Sequence, residues 1–155
     1  MKNQACCFSG HRDIPYNNKN KIKRLLKKEI TKLIKAGVKI FYSGGALGFD
    51  TYAAQMVLSM KEKYKEIKLI MVYPCKDQTK NWSVDSIKEY NKIIALADEH
   101  IFLQEHYTQG CMHKRNRYMV DNSVYCICYL NKVSGGTAYT VDYAKRKGLT
   151  VINLD

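Results

Sequence analysis

The chain has 155 residues, which is the size of one domain and is long enough to bury a sizeable core. Its residues are 46% hydrophobic and 26% charged, the ordinary balance of a soluble globular protein. No apolar run approaches the roughly 20 residues of a membrane span, and the N-terminal segment lacks the apolar region of a signal peptide. We therefore expect a cytoplasmic protein without membrane contact, folded as a single domain over residues 1–155.

The charge is strongly positive: 26 lysines and arginines stand against 14 aspartates and glutamates, which gives a net charge of +12. Such a balance favours polyanionic partners, among them nucleic acid and nucleotides. Much of the excess lies in residues 18–37, where apolar residues at helical spacing predict an amphipathic helix with a lysine-rich face. A solvated surface is the commoner role of such a face, so nucleic acid is one candidate partner among others.

Strand and helix patterns alternate along the chain. The apolar runs that predict strands span residues 5–10, 38–44, 67–74, 99–105, 123–130 and 149–154. Between them, helical patterns predict one helix that stops at Gly37, one after the glycine loop at 43–50, and others within residues 84–97, 107–122 and 135–148. The order is that of repeated strand–helix–strand units.

This alternation predicts the α/β class, as a Rossmann-like three-layer domain with a mainly parallel sheet of about six strands and helices on both faces. In such a sheet, ligands bind outside the carboxyl ends of the strands. The notable polar segments of this chain each follow a predicted strand, namely "SGHR", "SGGALGFD", "YPCKDQ", "QEHYTQG" and "NKVSGGT". We therefore expect them to meet at one edge of the sheet.

The six cysteines suggest buried strand residues rather than a disulfide framework or a metal site. Cys6 and Cys7 lie together in an apolar run, and Cys126 alternates with Cys128 in another. One residue separates Cys126 from Cys128, whereas a metal knuckle has two, and no second pair lies at zinc spacing. We expect no metal and no cofactor.

The loop "SGGALGFD" is an imperfect dinucleotide-binding fingerprint, which would place glycine at positions 43, 45 and 48. The chain has Ser43, Gly45 and Gly48 there, with an additional Gly44. These glycines permit close backbone approach, and the following helix offers free N–H groups to an anion. Asp50 is a candidate either for the cap of that helix or for contact with ribose hydroxyls, so a plain turn and a ligand loop both stay open.

A second glycine turn, with Gly135, Gly136 and Thr137, opens the last predicted helix. Two glycine-rich helix N-termini at one edge of a sheet suit a ligand that carries phosphate or ribose. This pairing favours a ligand site over two unrelated turns.

Further candidate ligand contacts lie in the other segments that follow strands. They are Gly10, His11, Arg12, Pro74, Gln78, Trp82, Tyr107, Arg115 and Asn116. Arg12 suits a bidentate phosphate contact, whereas His11 suits a structural hydrogen bond as well as a catalytic role. Trp82 either stacks on a base or packs its loop. No order of nucleophile, base and acid, and no carboxylate pair, marks a catalytic site.

Together these segments resemble the YpsA- and YoqJ-type proteins of the SLOG superfamily, over a range from Phe8 to about Leu154. The segments that carry the resemblance are "GHR", "SGGALGFDTYAA", "YPCKDQTKNW", "MHKRNRYMVDNS" and "GGTAYTVDYA". The superfamily includes the DNA-processing protein of natural transformation and the Lonely Guy phosphoribohydrolases. The resemblance implies a Rossmann-like fold, the binding of nucleotides or nucleotide-derived signals, and self-association, so a homodimer is expected.

The Lonely Guy enzymes have the motifs M-H-x-R-K-x-x-M and P-G-G-x-G-T-x-x-E. In this chain Met112, His113, Arg115 and Met119 match the first motif, which places Arg115 at the position of that family's catalytic arginine. In the second motif, the position of the glutamate is occupied by Thr140, whose hydroxyl cannot act as a carboxylate. The resemblance therefore implies that this chain keeps the contacts to phosphate and ribose but lacks the glutamate of the Lonely Guy enzymes.

We expect this protein to bind a nucleotide or an ADP-ribose-like, nucleotide-derived small molecule at the carboxyl edge of the sheet, for sensing or sequestration. An alternative is a nucleotide N-glycosidase in which Asp50 or Asp142 replaces the missing glutamate and Arg115 takes part in catalysis. A second alternative is the binding of single-stranded DNA, because "KRNRY" resembles a segment of the DNA-processing branch.

Overall fold

The computed structural model describes residues 2–155 and contains six strands and five α-helices. The strands are β1 (Ala5–Gly10), β2 (Ile40–Ser43), β3 (Lys68–Tyr73), β4 (Glu99–Phe102), β5 (Tyr125–Tyr129) and β6 (Thr150–Asn153). The helices are α1 (Lys19–Lys35), α2 (Phe49–Met60), α3 (Val84–Leu96), α4 (Cys111–Asp121) and α5 (Gly136–Arg146). Short 3-10 turns occupy Lys2–Gln4 and Tyr16–Asn18.

All six strands belong to one sheet in the order β4-β3-β2-β1-β5-β6, and each neighbouring pair is parallel. Every strand is joined to the next by a helix, which is the crossover that parallel pairing requires. The predicted α/β, Rossmann-like fold with a mainly parallel sheet is therefore confirmed, and the sheet is entirely parallel.

The core lies on both faces of the sheet, as the apolar strands predict. In β1, the side chains of Cys6 and Phe8 join the core cluster under α1, α2 and α3, whereas Cys7 joins the cluster under α4 and α5. All six cysteines are buried and free, so they act as small apolar core residues, as the sequence indicates.

Helix α1 follows the predicted amphipathic pattern. Ile22, Leu26, Ile30 and Leu33 are buried, and the lysines between them face outward. The helix ends at Lys35, two residues before Gly37, whose φ of +104° is the left-handed conformation that glycine adopts most readily. Among residues 2–155, no helix combines the length and the apolar composition that crossing a membrane would require.

The direction of the sheet reverses beside β1. The chain builds β1 to β4 outward on one side, and the crossover through α4 then returns it to place β5 on the other side of β1. At such a switch point, the connections after the two central strands leave in opposite directions and open a crevice outside their carboxyl ends. The fold thus points to the region beyond Gly10 and Tyr129.

Candidate functional site at the switch point

A cavity of about 320 Å³ occupies this crevice. Four parts of the chain line it: the end of β1 and its following turn, the loop before α2, the first turns of α4, and the turn between β5 and α5. The lining residues are Phe8, Ser9, Gly10, His11, Arg12, Asp13, Ala46, Asp50, Met112, Arg115, Asn116, Lys132, Ser134, Gly135, Gly136 and Thr137. The structure therefore brings together residues that lie more than a hundred positions apart.

The N-terminus of α5 is open toward this crevice. Gly135 occupies the N-cap position with a φ of +105°, and it has no side chain to cap the helix. Apart from the chain neighbours and the backbone of α5, a Cβ atom added to Gly135 or to Gly136 would meet no heavy atom of residues 2–155 within 4 Å. The first N–H groups of a helix have no partner within it, so this turn offers uncovered donors and the positive end of the helix dipole to an anion.

The first glycine loop is built differently, although the sequence suggests that the two turns act alike. A Cβ atom on Gly44 would overlap the guanidinium of Arg115, and one on Gly45 would overlap the ring of Tyr73. A Cβ atom on Gly48 would overlap the backbone carbonyl of Arg12. These glycines make room for the chain's own atoms.

Of the same loop and the helix that follows it, only two residues line the crevice. One is Ala46, and the other is Asp50 in the first turn of α2. The loop therefore contributes to the crevice through a backbone segment and one carboxylate.

Asp50 is only 6% exposed. Its Oδ2 accepts a hydrogen bond from the N–H of Ala46 at 3.2 Å, and the cap position of α2 belongs to Gly48, so Asp50 does not cap the helix. Burial raises the pKa of Asp50 to about 6, and the nearby positive charge of Arg115 acts in the opposite direction. Asp50 is thus a buried acid that titrates close to neutral pH.

Arg115 is 3% exposed, and carbonyl oxygens surround its guanidinium. It donates to the carbonyl of Gly44, to that of Val72 at 3.4 Å, and from Nε to Oδ1 of Asn116 at 2.8 Å. Burial lowers the pKa of Arg115, and the charge of Asp50 counteracts this effect. These contacts tie α4 to the carboxyl ends of β2 and β3.

Asp50 and Arg115 do not form a direct ion pair in the part of the chain that the structure describes. Both residues nevertheless line the same cavity. The crevice therefore holds two opposite buried charges that do not neutralise each other by contact.

His11 joins the ends of the two central strands. Its Nε2 accepts a hydrogen bond from the N–H of Asn131 at 3.1 Å, and its ring lies edge-on to Tyr129, with 5.7 Å between ring centroids. Burial, together with the positive charge of Lys132, lowers the pKa of His11. A neutral imidazole in this hydrogen bond favours the structural interpretation of His11 over the catalytic one.

A second cavity of about 760 Å³ adjoins the crevice. It is lined by Arg12, Leu47, Asp77, Gln78, Lys80, Asn81, Trp82, Tyr107 and Met112. Arg12 and Met112 line both cavities, so they mark the boundary between the two. Trp82 packs edge-on against Tyr90, with 5.7 Å between ring centroids, whereas Tyr107 is 62% exposed.

Three other candidates lie away from the crevice. Ser43 is buried and donates to the backbone carbonyl of Asp50 at 3.0 Å, and Pro74 is buried at the end of β3; neither lines either cavity. The carboxylate of Asp142 is 68% exposed and pairs with Arg146 at 2.9 Å. The structure therefore does not bring Asp142 to the site as a replacement acid.

Thr140, which occupies the position of the Lonely Guy glutamate, is fully engaged inside its helix. Its hydroxyl donates to the carbonyl of Gly136 at 2.9 Å, and the residue is buried. Its position in the first turns of α5 agrees with the motif, but its chemistry does not supply an acid.

Several lining residues were not among the sequence-derived candidates: Ser9, Asp13, Ala46, Met112, Lys132 and Ser134. Lys132 and Ser134 lie in a segment that follows a strand, so their position in the chain indicates a place at the carboxyl edge of the sheet, where ligands bind. Ala46 has no such signal, because its polar contacts are made by its backbone: its N–H donates to Asp50 and its carbonyl accepts from the hydroxyl of Thr51.

The model of the YspA SLOG family matches residues 9–151 of the chain. The SPbeta prophage-derived protein YoqJ of Bacillus subtilis is 34% identical over 118 residues, which are 68% of this chain and 69% of YoqJ. A UPF0398 protein of Halalkalibacterium halodurans is 29% identical over 141 residues, which are 89% of this chain and 72% of that protein. The resemblance found in the motifs is confirmed.

The fold is also similar to that of DNA processing protein A. The Helicobacter pylori protein, whose structure was described for its mode of binding single-stranded DNA, superposes with a TM-score of 0.69 at 18% identity. The Streptococcus pneumoniae protein superposes with a TM-score of 0.68 at 17% identity. This chain spans 65% of the first and 50% of the second, and at these identities the likeness concerns the fold alone.

Proposed function

The chain belongs to the YspA SLOG family, and we propose that it binds a nucleotide or an ADP-ribose-like ligand in the crevice between β1 and β5. The role of this binding is the sensing or sequestration of the ligand. The observation that carries the proposal is the open, uncapped N-terminus of α5, which lines the same cavity as the buried carboxylate of Asp50.

A ligand with a phosphate and a ribose matches these two features. Phosphate is held by the free N–H groups of Gly136 and Thr137, with positive charge supplied by Lys132 and Arg12 around the same cavity. Asp50 accepts hydrogen bonds from ribose hydroxyls. The cavity of about 320 Å³ lies at the lower end of the range for small-molecule sites, which suits a phosphorylated sugar.

The test is calorimetric binding with ribose 5-phosphate, nucleoside monophosphates and ADP-ribose, using the wild type and Gly136→Asp. Gly136 faces open space and stands at the first position of α5, where an acid favours the helix and repels a phosphate. We expect micromolar to millimolar binding by the wild type and at least about tenfold weaker binding by the variant.

The matched control is Val84→Asp, which places the same acid at the exposed first position of α3, outside the crevice. We expect this variant to bind as the wild type does. Equal binding by Gly136→Asp and by the wild type, or no binding of any compound of the panel to the wild type, would contradict the proposal.

A second candidate function is cleavage of the bond between base and ribose, with Asp50 as the acid. The observation that favours it is the burial of the Asp50 carboxylate in the lining of the crevice, which raises the pKa of Asp50 to about 6 and so favours its protonated form. Release of free base from nucleoside monophosphates would reveal this activity. It must vanish in Asp50→Asn and persist in Asp142→Asn, because Asp142 lies on the exposed side of α5.

A further inference from the structure

We infer that the second cavity is the nucleobase subsite of the same ligand, and that the side-chain amide of Gln78 binds the edge of the base. This inference rests on the proposed function, because it assumes that the phosphate and ribose occupy the crevice. The inference places the base of the ligand in the second cavity, outside the crevice. It also names Gln78 as the residue that distinguishes one base from another.

The two cavities are adjacent and share part of their lining. Arg12 is exposed and lines both of them, as does Met112 on the first turn of α4. A ligand bound at the N-terminus of α5 extends past Arg12 into the second cavity if it carries a group beyond the ribose. With about 760 Å³, this cavity has room for a nucleobase and ordered water.

Gln78 lacks the partners that a buried amide normally has. Both its Nε2 and its Oε1 are inaccessible to solvent and have no hydrogen-bond partner among residues 2–155. A buried amide without partners destabilises a folded protein, so native structures almost always satisfy such groups. Gln78 is half-buried and lines the second cavity, so a rotation of its side chain brings both atoms to a ligand that enters there and supplies the missing partners.

The chemistry of the amide specifies the kind of group it binds. A glutamine side chain presents a donor beside an acceptor, which is the complement of a base edge such as N6 and N7 of adenine. An apolar ligand or a simple anion would leave at least one of the two atoms unpaired. The amide therefore points to a heterocyclic base rather than to a second phosphate.

Aromatic residues accompany Gln78 in this cavity. The ring of Tyr107 is largely exposed, and its backbone N–H donates to Oδ1 of Asp77 at 3.0 Å, which fixes the segment that carries it. Trp82 is held in place by its edge-on contact with Tyr90. An exposed ring next to an amide is the usual composition of a base-binding site, where stacking supplies affinity and hydrogen bonds supply selectivity.

The test compares ligands with and without a base, in the wild type and in Gln78→Met. Methionine has nearly the shape of glutamine and cannot form its hydrogen bonds. The ligands are ribose 5-phosphate and the four monophosphates AMP, GMP, CMP and UMP, each titrated by calorimetry. The control variant is Gln109→Met, at an exposed glutamine that lines neither cavity.

We expect at least one monophosphate to bind the wild type about tenfold more tightly than ribose 5-phosphate, which corresponds to one or two hydrogen bonds and a stacking contact. Gln78→Met loses that advantage and binds ribose 5-phosphate unchanged. Its melting temperature in the absence of ligand is equal to or above that of the wild type, because two unpaired polar atoms are removed. Gln109→Met behaves as the wild type.

Three results would overturn the inference. Equal affinities of the wild type for ribose 5-phosphate and for every monophosphate would show that no base subsite exists, although the proposed function would stand. Loss of ribose 5-phosphate binding or a lower melting temperature in Gln78→Met would show that Gln78 supports the fold. Absence of binding by all five of these ligands and by ADP-ribose would refute the proposed function, and the base subsite with it.

Discussion

Asp50 and Arg115 are the two charged side chains that the described part of the chain buries, and both line the crevice. Burial of a charge is costly unless other groups compensate it. Arg115 obtains this compensation from the carbonyl oxygens of Gly44 and Val72 and from the side chain of Asn116. The carboxylate of Asp50 has one described partner, the N–H of Ala46. The carboxylate is therefore the less satisfied of the two and the better candidate for contact with a ligand.

The raised pKa of Asp50 predicts a particular dependence of stability on pH. Its pKa is about 6 in the folded protein and 3.8 in the unfolded chain, so the folded state holds the proton more tightly. The resulting stabilisation is complete below pH 4 and is lost as the pH rises through 6. We expect the free energy of unfolding of the wild type to fall by about 2–3 kcal/mol over this pH range. We expect no such fall in Asp50→Asn, because the amide does not titrate.

Urea denaturation of the wild type and of Asp50→Asn, at intervals from pH 4 to pH 8, measures this difference. Asp142→Asn serves as the control, because it removes an exposed carboxylate that pairs only with Arg146. Parallel pH profiles for the wild type and Asp50→Asn would show that Asp50 has an ordinary pKa.

At this scale the sequence predicted that the first glycine loop lies at the carboxyl edge of the sheet, but not what fills the space beside each of its glycines. The partner of Gly44 is Arg115, which lies 71 positions further along the chain, and that of Gly45 is the ring of Tyr73. A local pattern of glycines cannot show whether backbone, side chain or ligand fills the space beside them. For the same reason, the open surroundings of Gly135 and Gly136 became visible only in the folded structure.

At the scale of elements, two glycines with nearly the same positive φ have different surroundings. Gly48 caps α2 with a φ of +79°, and a Cβ atom there would overlap the carbonyl of Arg12. Gly148 follows α5 with a φ of +83°, and beyond its chain neighbours a Cβ atom there would meet no heavy atom of residues 2–155 within 4 Å. The positive φ disfavours a side chain at both positions. Only at Gly48 does the backbone also lie in close contact with another segment, the turn that follows β1.

We expect Gly148→Ala to lower the free energy of unfolding by about 1 kcal/mol, the cost of a left-handed conformation for alanine. Gly48→Ala should lower it by about 3 kcal/mol or more, because the backbone at Arg12 must also move. Chemical denaturation of both variants provides the comparison. Equal losses would show that the contact between the loop of α2 and the end of β1 is not tight.

The order of the elements and most of their bounds were predictable from hydrophobic periodicity, because each strand is a short apolar run between helical patterns. The start of β2 was predicted at residue 38 and lies at Ile40. The reason is that the N–H of Val38 donates to the carbonyl of Leu33 at 2.9 Å and closes the end of α1. Such a capping bond competes with strand pairing and has no signature in the pattern of apolar residues.

At the scale of the whole molecule, the parallel sheet was predictable, but the order of its strands was not. Repeated strand–helix–strand units require parallel pairing, yet β5 could have been added beyond β4 with the same sequence pattern. Its position beside β1 creates the switch point, and with it the crevice that joins the β1 turn to the turn before α5. Helices α4 and α5 pack with β5 on the second face of the sheet, a long-range arrangement that hydrophobic periodicity does not specify.

The positive charge is a property of the whole molecule, and a net charge of +12 makes nucleic-acid binding a further hypothesis. We expect the protein to bind a single-stranded oligonucleotide with an affinity that falls steeply as salt rises. Replacing Lys27 and Lys28, exposed on α1, by glutamate should reduce the slope of log affinity against log salt by about one to two.

Fluorescence anisotropy at several salt concentrations measures this slope, and the affinity for nucleotides in the crevice serves as the control that must not change. An oligonucleotide affinity that is independent of salt, or unaffected by the two substitutions, would show that the lysine face of α1 has no part in binding nucleic acid.

The central claim is that the uncapped turn before α5 holds the phosphate of the ligand. An NMR titration of the ¹⁵N-labelled protein with ribose 5-phosphate tests it most directly, because it observes each backbone N–H separately. We predict saturable shifts at Gly135, Gly136 and Thr137, and none at Gly110, which opens α4 outside the crevice. Saturable shifts that leave the α5 turn unaffected, or no saturable shift in any amide, would contradict the claim.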